Sequence, residues 1–178
     1  MSRILVLVAV LAIGFQAELT HSQDVANGLA TATVLAGLSV TAIQNLQFGN
    51  VFQGIAKSMV KNDDDSSGIF GIAGVPSAGL SVYLTLPDYL ALPNGSDRLN
   101  IAFSNTDANV DSTTVTPATF APADGWADQN PRNLPITLRI GAGGATRIYL
   151  GGRVTPSVNQ SAGNYAGDII CSVAYTGT

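Results

Sequence analysis

Apolar and polar residues alternate with a period of two along most of this chain, as they do in half-buried strands. Leu80–Leu86 is the cleanest case, with Leu80, Val82, Leu84 and Leu86 set against Ser81, Tyr83 and Thr85, and Pro87 ending it. Leu99–Ser104 turns Leu99, Ile101 and Phe103 inward, Arg147–Leu150 turns Ile148 and Leu150 inward, and Ile136–Ile140 (ITLRI) resumes the alternation. The last strand puts Ile169, Cys171, Val173 and Tyr175 on one face and Ile170, Ser172 and Ala174 on the other. Weaker strands are predicted at Leu38–Ile43, at Leu46–Phe52 with Leu46, Phe48 and Phe52 in phase, at Ala56–Lys61 and at Ile69–Val75. Gly151-Gly152 breaks the pattern, after which Val154 and Val158 share the next inward face. Asn105–Asn133 is the least regular stretch and holds Trp126; long excursions of this kind are usually functional or mobile. Short strands between Gly/Pro/Asn turns, with no convincing helix after residue 22, predict an all-β sandwich.

The two ends of the chain carry the remaining signals. Residues 1–22 are expected to be a signal peptide. Arg3 is a minimal basic region, Ile4–Phe15 is too short an apolar run to span a bilayer, and small residues at Thr20 and Ser22 place the cut before Gln23. Residues 23–37 then form an N-terminal extension and residues 38–178 the folded domain. Within the extension Ala30, Ala32 and Val34 share one face and Leu29, Thr31, Thr33 and Leu35 the other. The opposite end finishes on an apolar strand, which needs a neighbour on each edge or exposes a row of unpaired N–H and C=O groups.

Composition narrows the class. Charged residues are 11% against 46% hydrophobic, the reverse of a disordered chain. The net charge is −4 and no basic patch occurs, so a nucleic-acid partner is not expected. Cys171 is the single cysteine and cannot form an internal disulfide; its inward phase favours burial. His21, the single histidine, leaves with the leader. The remaining chain lacks the usual nucleophile–base and zinc-ligand sets, so no catalysis, metal or cofactor is expected. Asp63-Asp64-Asp65-Ser66-Ser67-Gly68 sets oxygen-bearing residues at alternate positions as a calcium loop does. No bidentate Glu follows and no helices flank it, so it reads as a solvated turn. Trp126 and Tyr89, with Asp and Asn nearby, have the makings of a sugar-binding surface, against which stands a loop anchor packed on the sandwich.

Three stretches carry a family resemblance: LQFGNVFQG (Leu46–Gly54), FGIAGVPSAGLSVYLTLP (Phe70–Pro87) and IYLGGRVTPSVNQSAGNYAGDIICSVAY (Ile148–Tyr175). Their order and motifs resemble a bacterial domain-of-unknown-function family of secreted, fimbria-like proteins, akin to spore coat protein U-type and archaic chaperone–usher pilins. Gly151-Gly152, Gln160, Gly163, Tyr165, Gly167 and Tyr175 stand at the positions of that pattern. Cys171 departs from it, as do the residues past Tyr175, and the Asn105–Asn133 excursion has no counterpart.

The resemblance implies an incomplete immunoglobulin-like sandwich, completed by a strand donated from a neighbouring copy. Such a head-to-tail contact does not close and gives a filament. Its donor residues would be Val25, Leu29, Ala30, Ala32, Val34 and Leu35, with either parity open. Its acceptor groove would be walled by Ile169, Cys171, Val173 and Tyr175. The partners implied are other copies of the chain, a periplasmic chaperone and an outer-membrane usher. The location implied is a surface filament reached through a Gram-negative periplasm. The alternative is a monomeric secreted surface or adhesive module, carbohydrate-binding for instance, whose extension completes its own sheet.

Overall fold

The computed structural model describes residues 29–32, 34, 37–113, 122 and 125–176. The leader, and Val25 and Leu35 of the donor segment, lie outside the described residues. The contacts of the chain divide between Val34 and Leu35, and every strand belongs to the second unit.

The described residues form an all-β, sandwich-like arrangement of antiparallel strands and hold no helix. In chain order these are β1 (Ser39–Gln44), β2 (Lys57–Met59), β3 (Gly68–Ala73), β4 (Leu80–Thr85), β5 (Tyr89–Ala91), β6 (Arg98–Ala102), β7 (Ala108–Asp111), β8 (Ala145–Leu150), β9 (Gly152–Thr155) and β10 (Ile170–Tyr175). They pair as β1-β3-β8-β7, as β10-β4, and as β2-β9-β6-β5. Among the described residues no helix is long and apolar enough to cross a membrane.

Alternation fixes which side chains meet. Phe70 and Ile72 of β3 and Ile148 and Leu150 of β8 pack against Leu80 and Leu84 of β4 in a first core. Leu99 and Ile101 of β6 and Val154 of β9 close over Phe48 in a second. Phe103 touches both cores. Each such side chain, once buried, contributes roughly 1.5–3 kcal/mol against solvent exposure. At Gly151 the chain steps from the first sheet to the third. A Cβ there would lie 2.5 Å from the Met59 carbonyl oxygen and 2.8 Å from the Lys61 nitrogen, so glycine is required by the close approach of backbone.

Part of the irregular stretch, the described residues around Trp126, acts as cover, while residues 114–121, 123 and 124 lie outside the described residues. Tyr149, on the outer face of β8, is fully buried beneath Trp126, whose ring meets it edge-on with centroids 5.0 Å apart. Asn109, beside Tyr149 in the β7–β8 ladder, accepts the Ala127 N–H at 2.8 Å. Strand β7 itself falls within the excursion and shows no alternation of hydrophobic residues, because its buried positions include Asn109 and Asp111. Strand β5, three residues long, was also illegible.

Three expected features are corrected. Ile136–Ile140 is not a strand: the chain turns directly after Pro135, which has no N–H for a ladder, and leaves Ile136 88% exposed. Arg139 alone bridges to Gly79. In Leu46–Phe52, Gly49 takes a φ of +59°, which breaks the phase, so Phe48 is buried while Phe52 faces solvent. Val154 is buried, but β9 ends at Thr155 and Val158, in the turn that follows, is 75% exposed.

Candidate functional site

The site lies beside strand edges that find no ladder neighbour among the described residues. Strand β1 pairs with β3 on one side, and β10 pairs with β4 on one side. The two come near each other where Gly74 lies between the side chains of Leu38 and Tyr175, and Tyr175 Oη accepts the Val75 N–H at 2.8 Å. No ladder joins β1 to β10 among the described residues. The start of β1 thus faces the end of β10, so the two free edges run antiparallel.

From that point the edges diverge. A bulge between Ala42 and Gln44 shifts the β1–β3 register, and bulges bend the strand that carries them. The chain then leaves the sheet, tied by Gln44 Nε2 to the Ser67 carbonyl at 2.9 Å and by the Gln47 N–H to the Ser66 carbonyl at 2.8 Å. Across from it, the segment entering β10 is stitched to β5 by reciprocal bonds between Ala91 and Ala166 at 2.8 and 2.9 Å. Between them opens a groove of about 1120 Å³. Ala42 and residues 44–53 form its first wall and Gln160–Ile169 its second, with Phe70, Leu90, Leu99 and Ile101 also lining it. Its rim is rich in side-chain amides, and Asp168 is the one charged residue among those that line it. An apolar floor between amide-bearing walls suits an uncharged, extended backbone with small or apolar side chains.

The second wall is held from outside the groove by Asp97. Its Oδ2 accepts the Ser161 N–H at 2.7 Å and Gln160 Nε2 at 2.8 Å, and its Oδ1 accepts the Arg98 N–H at 2.8 Å. Tyr165 Oη lies 2.8 Å from both Asp97 Oδ2 and the Ser161 carbonyl. The Ser161 N–H foremost, then the Tyr165 hydroxyl, hold the Asp97 carboxyl well below the usual aspartate range. Burial raises the Tyr165 phenol above its ordinary value. Gln160 is 6% exposed and fully engaged: its Oε1 accepts the Ser157 N–H at 3.2 Å and its Nε2 also reaches the Arg98 carbonyl at 3.2 Å. Gln53 Nε2 donates to the Gln160 carbonyl, tying the two walls at one end.

The sequence-predicted residues fall as follows. Ile169 lines the groove. Cys171, Val173 and Tyr175 are half-buried against the first core, on the same face of β10. Burial pushes the Cys171 thiol up to about 11. Of the donor segment, Leu29 and Val34 are 91% and 93% exposed, and Ala30 and Ala32 are exposed as well. Asp97 was missed by sequence reasoning, since a lone Asp in a turn carries no signal of its own; Leu46–Gln53 of the first wall stood out as a strand and as part of the family resemblance but not as a groove wall. The Asp63–Gly68 stretch is a turn in which Asp63 accepts the Asp65 N–H at 3.2 Å. Tyr89 is stacked by the Arg98 guanidinium, 4.2 Å from its ring centroid. Among the described residues no cluster of three or more His, Cys, Asp or Glu is placed to hold a metal. No family model matches this chain, and no curated protein matches it.

Proposed function

We propose that this chain is a non-enzymatic structural subunit of an extracellular filament, in which the N-terminal extension of one copy fills the groove of the next. The groove carries this reading: over an apolar floor it opens between β1 with its continuation, residues 44–53, and the segment 160–169 that leads into β10, and among the described residues β1 and β10 are each paired on one side, so an added strand would cover the floor and extend an open edge. The incomplete sandwich would then be immunoglobulin-like in type. The extension has matching chemistry. Val25–Ala36 contains no charged residue and alternates small and apolar side chains, and the groove lining has a single carboxylate. Because donor and groove are different parts of one chain, the contact is heterologous and propagates. Secretion through the periplasm, with a chaperone to cover the groove before assembly and an outer-membrane usher to guide it, belongs to the same reading.

The test is a comparison of unheated and boiled purified protein by gel electrophoresis. A ladder that collapses on boiling is expected, since inserted strands dissociate slowly. Deletion of Gln23–Thr33 should remove the ladder and the filaments seen by negative stain. Filaments persisting in the deletion variant would sink the donor role of that segment.

A further inference from the structure

We propose that Asp97 is the positioning residue of the groove's second wall: its carboxylate draws Gln160, Ser161 and Tyr165 into the arrangement that a strand partner meets. The inference rests on reading the groove as a strand acceptor and assigns control of its shape to a residue outside it.

Residues 161–165 of the wall have little else to hold them. Ser161, Ala162, Gly163 and Asn164 are exposed, and among the described residues the backbone of 161–165 makes no backbone–backbone hydrogen bond. Tyr165 alone in this loop packs against the second core. A segment with few apolar contacts and no ladder is set by its polar ties, and bonds to an ionised acceptor are the stronger kind. Three of the bonds to Asp97 come from this wall. Gln160 passes the constraint on, because its carbonyl accepts Gln53 of the opposite wall. Releasing Asp97 therefore loosens one wall and frees the tie between both. Tyr165 and the neighbouring Arg98 are the titratable residues that face this carboxylate; Arg98 offers its backbone N–H, while its guanidinium rests on Tyr89.

The experiment compares full-length wild type, Asp97→Asn and, as a control, Asp88→Asn, whose carboxylate pairs with Arg132 at the surface. Hydrogen exchange reads the wall, and polarisation of a fluorescent peptide of residues 23–37 reads the groove. In Asp97→Asn, the bonded amides within 157–165, those of Ser157, Gln160 and Ser161, should exchange about tenfold faster and the peptide should bind about tenfold more weakly, with β3 and β8 amides unchanged. Asp88→Asn should behave as wild type. Wild-type protection of 157–165, corrected for intrinsic exchange, should fail only below the usual aspartate range, and the Asn variant should show no such step. Unchanged protection in Asp97→Asn, or equal peptide binding by variant and wild type, overturns the proposal and leaves the strand-acceptor reading standing. A wild type that binds no peptide ends that reading instead, and the exchange arm still judges Asp97. If Asp97→Asn fails to fold, Tyr165→Phe removes one of the bonds to Asp97 together with the hydroxyl's contacts to the Ser161 carbonyl and Gln160, and should give a loosening confined to 157–165; no loosening there overturns the proposal.

Discussion

The two sides of this molecule solve the same problem unequally. Around β8, every edge and face is covered: β3 and β7 pair on either side, the first core lies beneath, and Trp126 seals Tyr149 above. Around β1 and β10, each strand has one partner among the described residues, β1 is exposed along nearly its whole length, and the groove opens between the residues that follow β1 and those that precede β10. Both regions are made of alternating strands. What differs is how many neighbours arrive, so completeness of a sheet is a property of assembly, separate from strand propensity.

The comparison can be broken first at its closed side. Ile148→Ala, at a fully buried position, should cost about 3–4 kcal/mol in denaturant unfolding. Val40→Ala on the open strand should cost under about 1 kcal/mol. Equal losses would mean that the two sides are equally packed. Next, Gly151→Ala, which drives a Cβ into the Met59 and Lys61 backbone, should lose about 2–3 kcal/mol and lower Tm by several degrees.

Acid should act on the open side through Asp97. Its folded-state pKa is depressed, so its contribution is complete above the ordinary value of 3.8 and is lost as pH falls from there toward the depressed value. Wild type should therefore lose more stability than Asp97→Asn over that acid range, measured by urea titration at successive pH values. Identical acid slopes would refute the role of this carboxylate. Cys171 offers a milder probe: with its thiol raised to about 11, labelling at pH 8 should be about a hundredfold slower than for a free cysteine and normal after unfolding. The smallest effect belongs to Ile136→Ser, which should change stability by no more than about 0.5 kcal/mol, because that side chain is already in water.

Much of the fold was legible because strand alternation is a local, period-two signal. Leu80–Leu86, Leu99–Ile101, Ile148, Leu150 and the inward face of β10 could be read from spacing alone. Where local chemistry cut across that period, reading failed: Gly49 reset the phase before Phe52, Pro135 removed a ladder donor before Ile136, and β7 buried Asn109 and Asp111 in place of hydrophobic residues. Of the four residues expected to wall the groove only Ile169 lines it; Gln160, Gly163, Tyr165 and Gly167 stood out only as positions of the family pattern, and the carboxylate that organises them did not stand out at all.

By itself, then, the sequence determined most of the strands and many of their inward faces, since each depends on neighbours a few positions away. Only the tertiary structure decided which edges pair, that Trp126 covers β8, and that Asp97 meets Gln160 across 63 positions. Those outcomes depend on which distant segments the folded chain brings together, and no short stretch of sequence encodes that.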